Sequence, residues 1–111
     1  MYRVKLTVVK KDVFLDLTEK YSRRKNGEPI TQPCGGWEGG YKVGQSWISQ
    51  DAEKPQGFCE DAWRTVYQFV FALANGAPTL YNGERTVRPD IAITNCNDGL
   101  RPVYFKIERE D

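Results

Sequence analysis

Histidine is absent from this 111-residue chain, and methionine occurs once. Imidazole is the commonest base near neutral pH and the commonest zinc ligand, so its absence excludes serine–histidine triads, His-rich metal sites and histidine pH switches. A charge excess of either sign is also missing: 16 Lys and Arg stand against 15 Asp and Glu, a formal net charge of +1. That balance argues against a dedicated nucleic-acid binder, which carries a basic excess on one face. The run Arg23-Arg24-Lys25 reads as a short solvated patch. No apolar run approaches the roughly 18 residues of a membrane span, and Met1-Tyr2-Arg3-Val4-Lys5 lacks the apolar core of a signal peptide. We therefore expect a cytoplasmic protein without membrane contact. Cysteine is scarce, at three residues. An odd count without an export signal points to reduced thiols rather than a disulfide framework.

What is present suits one folding unit. The length allows one hydrophobic core, and 40% hydrophobic with 28% charged residues is an ordinary globular composition. We expect a single α+β domain over residues 1–111. Residues 2–10 alternate Tyr2, Val4, Leu6, Val8 against Arg3, Lys5, Thr7, Lys10, the period of a half-buried strand with a basic outer face. A short helix over 13–21, capped by Asp12, places Phe14, Leu17 and Tyr21 on one side. The stretch 22–40 holds too many Gly and Pro for a regular element and reads as a long loop anchored by Cys34 and Trp37. Strand composition returns over 41–48, with Gly44 marking a turn or bulge.

The strongest periodic signal lies in a helix over about 58–75, where Trp63, Val66, Tyr67, Val70, Phe71 and Ala74 form one apolar stripe. Ala62, Phe69 and Leu73 widen it until only Asp61, Arg64 and Gln68 remain polar, so most of the circumference should be covered. Glu60 and Asp61 favour the helix start, and Asn75-Gly76 supplies the stop. After an irregular stretch over 77–89 comes a hairpin, with strands at 90–97 and 100–108 turning at Asp98-Gly99. If those two residues make the turn, Cys96 faces Arg101, Thr94 faces Val103, Ala92 faces Phe105 and Asp90 faces Ile107. The expected architecture is an antiparallel sheet of the N-terminal strand, the 41–48 strand and this hairpin, packed on the long helix.

Pro55-Gln56-Gly57-Phe58-Cys59-Glu60-Asp61-Ala62-Trp63 and Cys96-Asn97-Asp98-Gly99-Leu100-Arg101-Pro102-Val103 resemble a family of uncharacterised small prokaryotic proteins of about this length. Its members carry a Pro-x-Gly-Phe-Cys-x-x-Ala-Trp segment and a closing Cys-x-Asp-Gly-x-Arg-Pro-Val segment. The resemblance takes in Cys34 upstream of Lys42-Val43-Gly44-Gln45. The chain is longer than the usual member between Ser22 and Pro33 and between Thr79 and Arg88. The resemblance implies no activity.

Chemistry must come from the cysteines and their neighbours. Cys59 sits at the start of the long helix, where unpaired N–H groups and the positive dipole end favour thiolate, although Glu60 and Asp61 oppose it. Cys96, beside Arg101 in the assumed register, gains a cationic partner; the alternative is a small filler at a hairpin end. Arg101 suits a carboxylate or phosphate clamp, or else pairs with a local carboxylate. Asp98 and Gly99 read first as turn residues. Cys34, Cys59 and Cys96, with Asp98, Glu60 or water, would suit zinc in principle, but no Cys-x-x-Cys spacing supports it. The segment Cys34-Gly35-Gly36-Trp37-Glu38-Gly39-Gly40 lacks a following helix start and reads as a flexible loop rather than an anion nest.

Phosphate-cradling glycine motifs are absent, and no cofactor is assigned. The leading expectation is a small ligand-binding or accessory module without catalysis of its own, its site drawn from Cys34, Cys59, Trp63, Cys96, Asp98 and Arg101. The second is a thiol-dependent enzyme or redox protein using Cys59 with Cys96 or Cys34. A structural zinc domain is the third. The partner is a small molecule or a protein, and aromatic surface with an odd thiol is compatible with a homodimer.

Overall fold

The computed structural model describes residues 1–110. Its elements run β1 (Val4–Lys11), α1 (Leu15–Tyr21), β2 (Ser46–Ser49), α2 (Glu60–Ala74), β3 (Ile91–Asn95) and β4 (Val103–Arg109). The four strands form one sheet in the order β2-β1-β4-β3, antiparallel throughout. The expected α+β class and the C-terminal hairpin are both present, and α2 packs on the sheet over β4, β3 and β1.

Alternation in β1 and β4 decides which face is covered. Val4, Leu6 and Val8 are fully buried, as are Phe105 and Ile107 opposite them, and they meet Ala62, Val66, Val70, Leu73 and Ala74 of α2. That is the core. The helix is less enclosed than its composition suggests, because Tyr67 and Phe71 are 41% and 47% exposed. A helix apolar on nearly every side can turn only one flank to a sheet, and here the small and branched residues take it. Trp63, Tyr67 and Phe71 instead stack along the outer flank, at ring-centroid distances of 5.4 and 5.9 Å.

Three local expectations are corrected. The strand expected over 41–48 is regular only from Ser46; residues 42–45 make a turn in which Gly44 (φ 94°) donates its N–H to the Val8 carbonyl. Asp12 does not cap α1. Phe14 occupies the cap position, while the Asp12 carboxylate accepts the Val13 N–H. In the hairpin the register is displaced by two residues, with Thr94 opposite Phe105 and Ala92 opposite Ile107. A shift of two preserves the face each side chain takes, so the apolar face survives. The cause is the Asp98 carboxylate, which accepts the N–H groups of Leu100 and Arg101 at 2.8 and 2.9 Å and holds 96–102 in a wider turn than Asp98-Gly99 alone would make.

One irregularity decides how β1 ends. Pairing of β1 with β4 slips between Val8 and Lys10, leaving Val9 as an extra residue. A bulge reverses the alternation beyond it. Lys11 therefore pairs with Val103 on the helix side of the sheet, 8% exposed, and Lys10 with Tyr104 on the other side.

Candidate functional site

Where β1 ends and α2 begins, Lys11 turns its ammonium into the glycine-rich segment and donates to the carbonyls of Gly36 and Gly39 at 2.6 and 2.8 Å. The segment itself folds back tightly. Gly35 has φ +76°, and a methyl group there would stand 2.6 Å from the Gly40 Cα; one at Gly39 would meet the Gly35 carbonyl oxygen. Only glycine permits this approach. The closure brings Cys34 next to Gly40 and Tyr41.

Tyr41 then reaches α2. Its hydroxyl accepts the Cys59 N–H at 2.6 Å and donates to the Gly57 carbonyl at 3.3 Å. Its ring lies 4.7 Å from Trp47 and 6.2 Å from both Phe58 and Phe105. Burial raises the phenol pKa above its ordinary value. The Cys59 N–H opposes that rise, and the nearby sulfurs of Cys59 and Cys34 reinforce it as thiolates. A neutral hydroxyl is therefore kept at this point.

Cys59 is the cap residue of α2 rather than a residue within its first turn; it has φ −62° and ψ 130° and makes no side-chain capping bond. Lys54, which donates to the Phe58 carbonyl at 2.9 Å, also pairs with Glu60 at 3.4 Å. From the hairpin, Cys96 is held by Val103 in both directions: its N–H donates to the Val103 carbonyl at 3.1 Å, and its Sγ accepts the Val103 N–H at 3.4 Å.

These segments enclose a cavity of about 350 Å³ whose wall includes Cys34, Tyr41, Cys59 and Cys96 over a floor of Ala62, Val103 and Phe105. All three cysteines of the chain are free and line this one space. Among the described residues, no group of three or more His, Cys, Asp or Glu side chains is drawn together tightly enough to hold a metal ion. The thiols share a wall without forming a compact ligand set.

Arg101, Asp98 and Trp63 stand outside this wall. Arg101 does not lie opposite Cys96. Its Nε faces the Asp98 carboxylate at 3.5 Å. Burial works against ionisation of Asp98, but the N–H groups of Arg101 and Leu100 and the guanidinium outweigh it and hold the carboxyl below its ordinary value. Trp63 packs edge-on against Phe58 at 6.1 Å. Tyr41 is the wall residue that the sequence pattern misses. The pattern makes it the first residue of a strand, and its position after Gly39-Gly40 is the available signal of a turn.

No helix among the described residues is long and apolar enough to cross a membrane. No family model, no curated protein and no solved structure matches the chain.

Proposed function

We propose that the protein is a small ligand-binding module without catalysis of its own, and that the cavity between the glycine-rich segment, α2 and the hairpin takes a compact, largely apolar molecule. The observation that carries this reading is the wall: apolar side chains, three sulfurs and one neutral phenol, with no charged side chain among the described residues that line it. Its volume falls within the roughly 300–1,000 Å³ of small-molecule sites, which are mostly apolar with a few convergent polar groups. Tyr41 supplies the orienting hydroxyl. Sulfur adds polarizable surface that favours aromatic or halogen-bearing ligands.

The second reading is a thiol-dependent redox protein or enzyme using Cys59 with Cys34 or Cys96. It is favoured by the convergence of all three cysteines on one cavity. Against it, the cation expected beside Cys96 is engaged by Asp98, so that route to a stabilised thiolate is closed. The module reading also places the protein in a reducing, cytoplasmic setting, supported by three unpaired thiols.

Alkylation separates the two. With iodoacetamide followed by intact mass across pH, the module reading expects no cysteine to react faster at neutral pH than a free thiol such as glutathione. It also expects saturating naphthalene-sized apolar probes to slow alkylation of Cys34 and Cys59, and Cys59→Ser to bind those probes with nearly unchanged affinity. One cysteine reacting with an apparent pKa well below that of a free thiol would overturn it in favour of the thiol reading.

A further inference from the structure

The Lys11 ammonium is a buried charge, and such a charge is costly unless a group of opposite charge or a full set of hydrogen bonds offsets it. The Gly36 and Gly39 carbonyls take two of its three donors, and no carboxylate pairs with it among the described residues. Carbonyl dipoles solvate the charge but do not cancel it. The unspent donor belongs to a side chain more than nine-tenths buried, and that side chain lines an open cleft of about 430 Å³. Trp37, Glu38, Lys42 and Val43 complete the cleft. It shares no lining residue with the thiol cavity, although both are built on the 34–43 segment.

The contents of the cleft define what fits. Trp37 and Val43, 56% and 64% exposed, offer a flat ring and an aliphatic wall. Lys42, like Lys11, has no carboxylate partner among the described residues. Two lysines against the single Glu38 leave one uncompensated positive charge. We propose that this cleft is a second binding site, for a small aromatic carboxylate with one negative charge. The carboxylate is received by the Lys11 and Lys42 ammonium groups and the ring lies against Trp37. Ammonium groups suit a single carboxylate as point charges, and stacking on indole selects a planar body. Glu38 limits the site to one negative charge, because a dianion would face it across the cleft.

A purely structural Lys11, tying down the glycine-rich segment, would give Lys42, Trp37 and Glu38 no common role. The test therefore uses those three exposed positions, where substitution leaves the core intact. The full chain, labelled with ¹⁵N, is titrated with benzoate and, separately, with neutral benzamide. Amide shifts and indole fluorescence are followed together. Benzoate should shift the amides of Trp37, Lys42 and Val43 saturably, with a Kd on the order of 1–10 mM for so small a ligand, and benzamide should not. Lys42→Gln and Trp37→Ala should each weaken benzoate by about fivefold or more. Glu38→Gln should tighten it about threefold, since a like charge leaves the cleft. The proposal is overturned by shifts that do not saturate by about 50 mM benzoate, well above that expected Kd, by equal shifts with benzamide, or by indifference to Lys42→Gln. Weaker binding by Glu38→Gln would also overturn it. Shifts confined to Cys59 and Ala62 would overturn it too, while leaving the thiol cavity as the ligand site.

Discussion

Phe105 and Phe71 are the same residue type in opposite situations, and the difference between them tests the packing of α2 directly. Phe105 is fully buried on β4, with ring neighbours Phe58, Tyr41 and Trp47 at 5.3, 6.2 and 6.4 Å. Truncation of such a side chain to alanine costs about 3–5 kcal/mol, because transfer free energy and a residual cavity add together. Phe71 is 47% exposed, with Tyr67 as its ring neighbour at 5.9 Å. Full burial of a phenylalanine contributes about 1.5–3 kcal/mol, and a half-buried one about half of that. Alanine returns roughly 0.5 kcal/mol through its better helix propensity. Phe71→Ala should therefore cost about 0.3–1 kcal/mol, a Tm drop of about 1–4 °C, against about 12 °C or more for Phe105→Ala. Urea unfolding followed by far-UV circular dichroism, with unchanged slopes, gives both values. Should Phe105→Ala not fold at all, Phe105→Leu at about 1–2 kcal/mol preserves the ranking. A Phe71→Ala cost equal to that of the Phe105 variant would mean that α2 turns a different flank to the sheet, and would refute the arrangement.

Three further outcomes are expected from the geometry. Gly35→Ala should destabilise by about 1–3 kcal/mol in urea unfolding, because a methyl group at φ +76° meets the Gly40 Cα; Gly36→Ala, with open space around it, should cost about 1 kcal/mol of backbone strain alone. Asp98→Ala should cost about 1 kcal/mol at pH 7 through the freed N–H groups of Leu100 and Arg101. Because Asp98 has a lower pKa folded than unfolded, its ionised form favours folding above about pH 4. That contribution is lost as pH falls through the folded value, so the gap to the variant should narrow in acid unfolding curves. Lys11→Met should accelerate hydrogen exchange at the Gly36 amide, which donates to Pro33, and leave the β1 and β4 amides protected; Lys10→Met, at an exposed side chain paired to Asp12, should leave both unchanged.

Legibility in the sequence tracks how local each cause is. The alternation of Val4, Leu6 and Val8 and the long apolar period of 60–74 arise from neighbours along the chain, and both elements stand where the pattern puts them. The hairpin keeps its faces and loses its register, because the deciding interaction, Asp98 with Leu100 and Arg101, is a side-chain choice that a turn dipeptide does not specify. Which flank of α2 meets the sheet is illegible for a different reason. Trp63, Tyr67 and Phe71 share the apolar stripe with Val66 and Val70, and the choice between them is made by how each shape packs on the sheet. The convergence of Cys34, Cys59 and Cys96 is only a topological guess in the sequence, whereas Tyr41 escapes it because its place depends on a closure made by Lys11, Gly35 and Gly40 together.

The bulge at Val9 links the sheet to both cavities. Without it, strict alternation after Val8 would send Lys10 toward the helix side and Lys11 to the opposite face. Lys10 has a carboxylate partner in Asp12; Lys11 has none and reaches two carbonyls instead. The extra residue therefore chooses which of two adjacent lysines is buried, and it chooses the one whose charge is left uncompensated. The same ammonium fixes the segment carrying Cys34 and Tyr41 on one cavity and Trp37 and Lys42 on the other. If an anion neutralises Lys11, the pull of its ammonium on the Gly36 and Gly39 carbonyls weakens, since a shared charge donates less strongly to each partner. Occupancy of the carboxylate cleft would then loosen the segment that closes the thiol cavity. The two sites are bound through one side chain, so any coupling between them must act reciprocally.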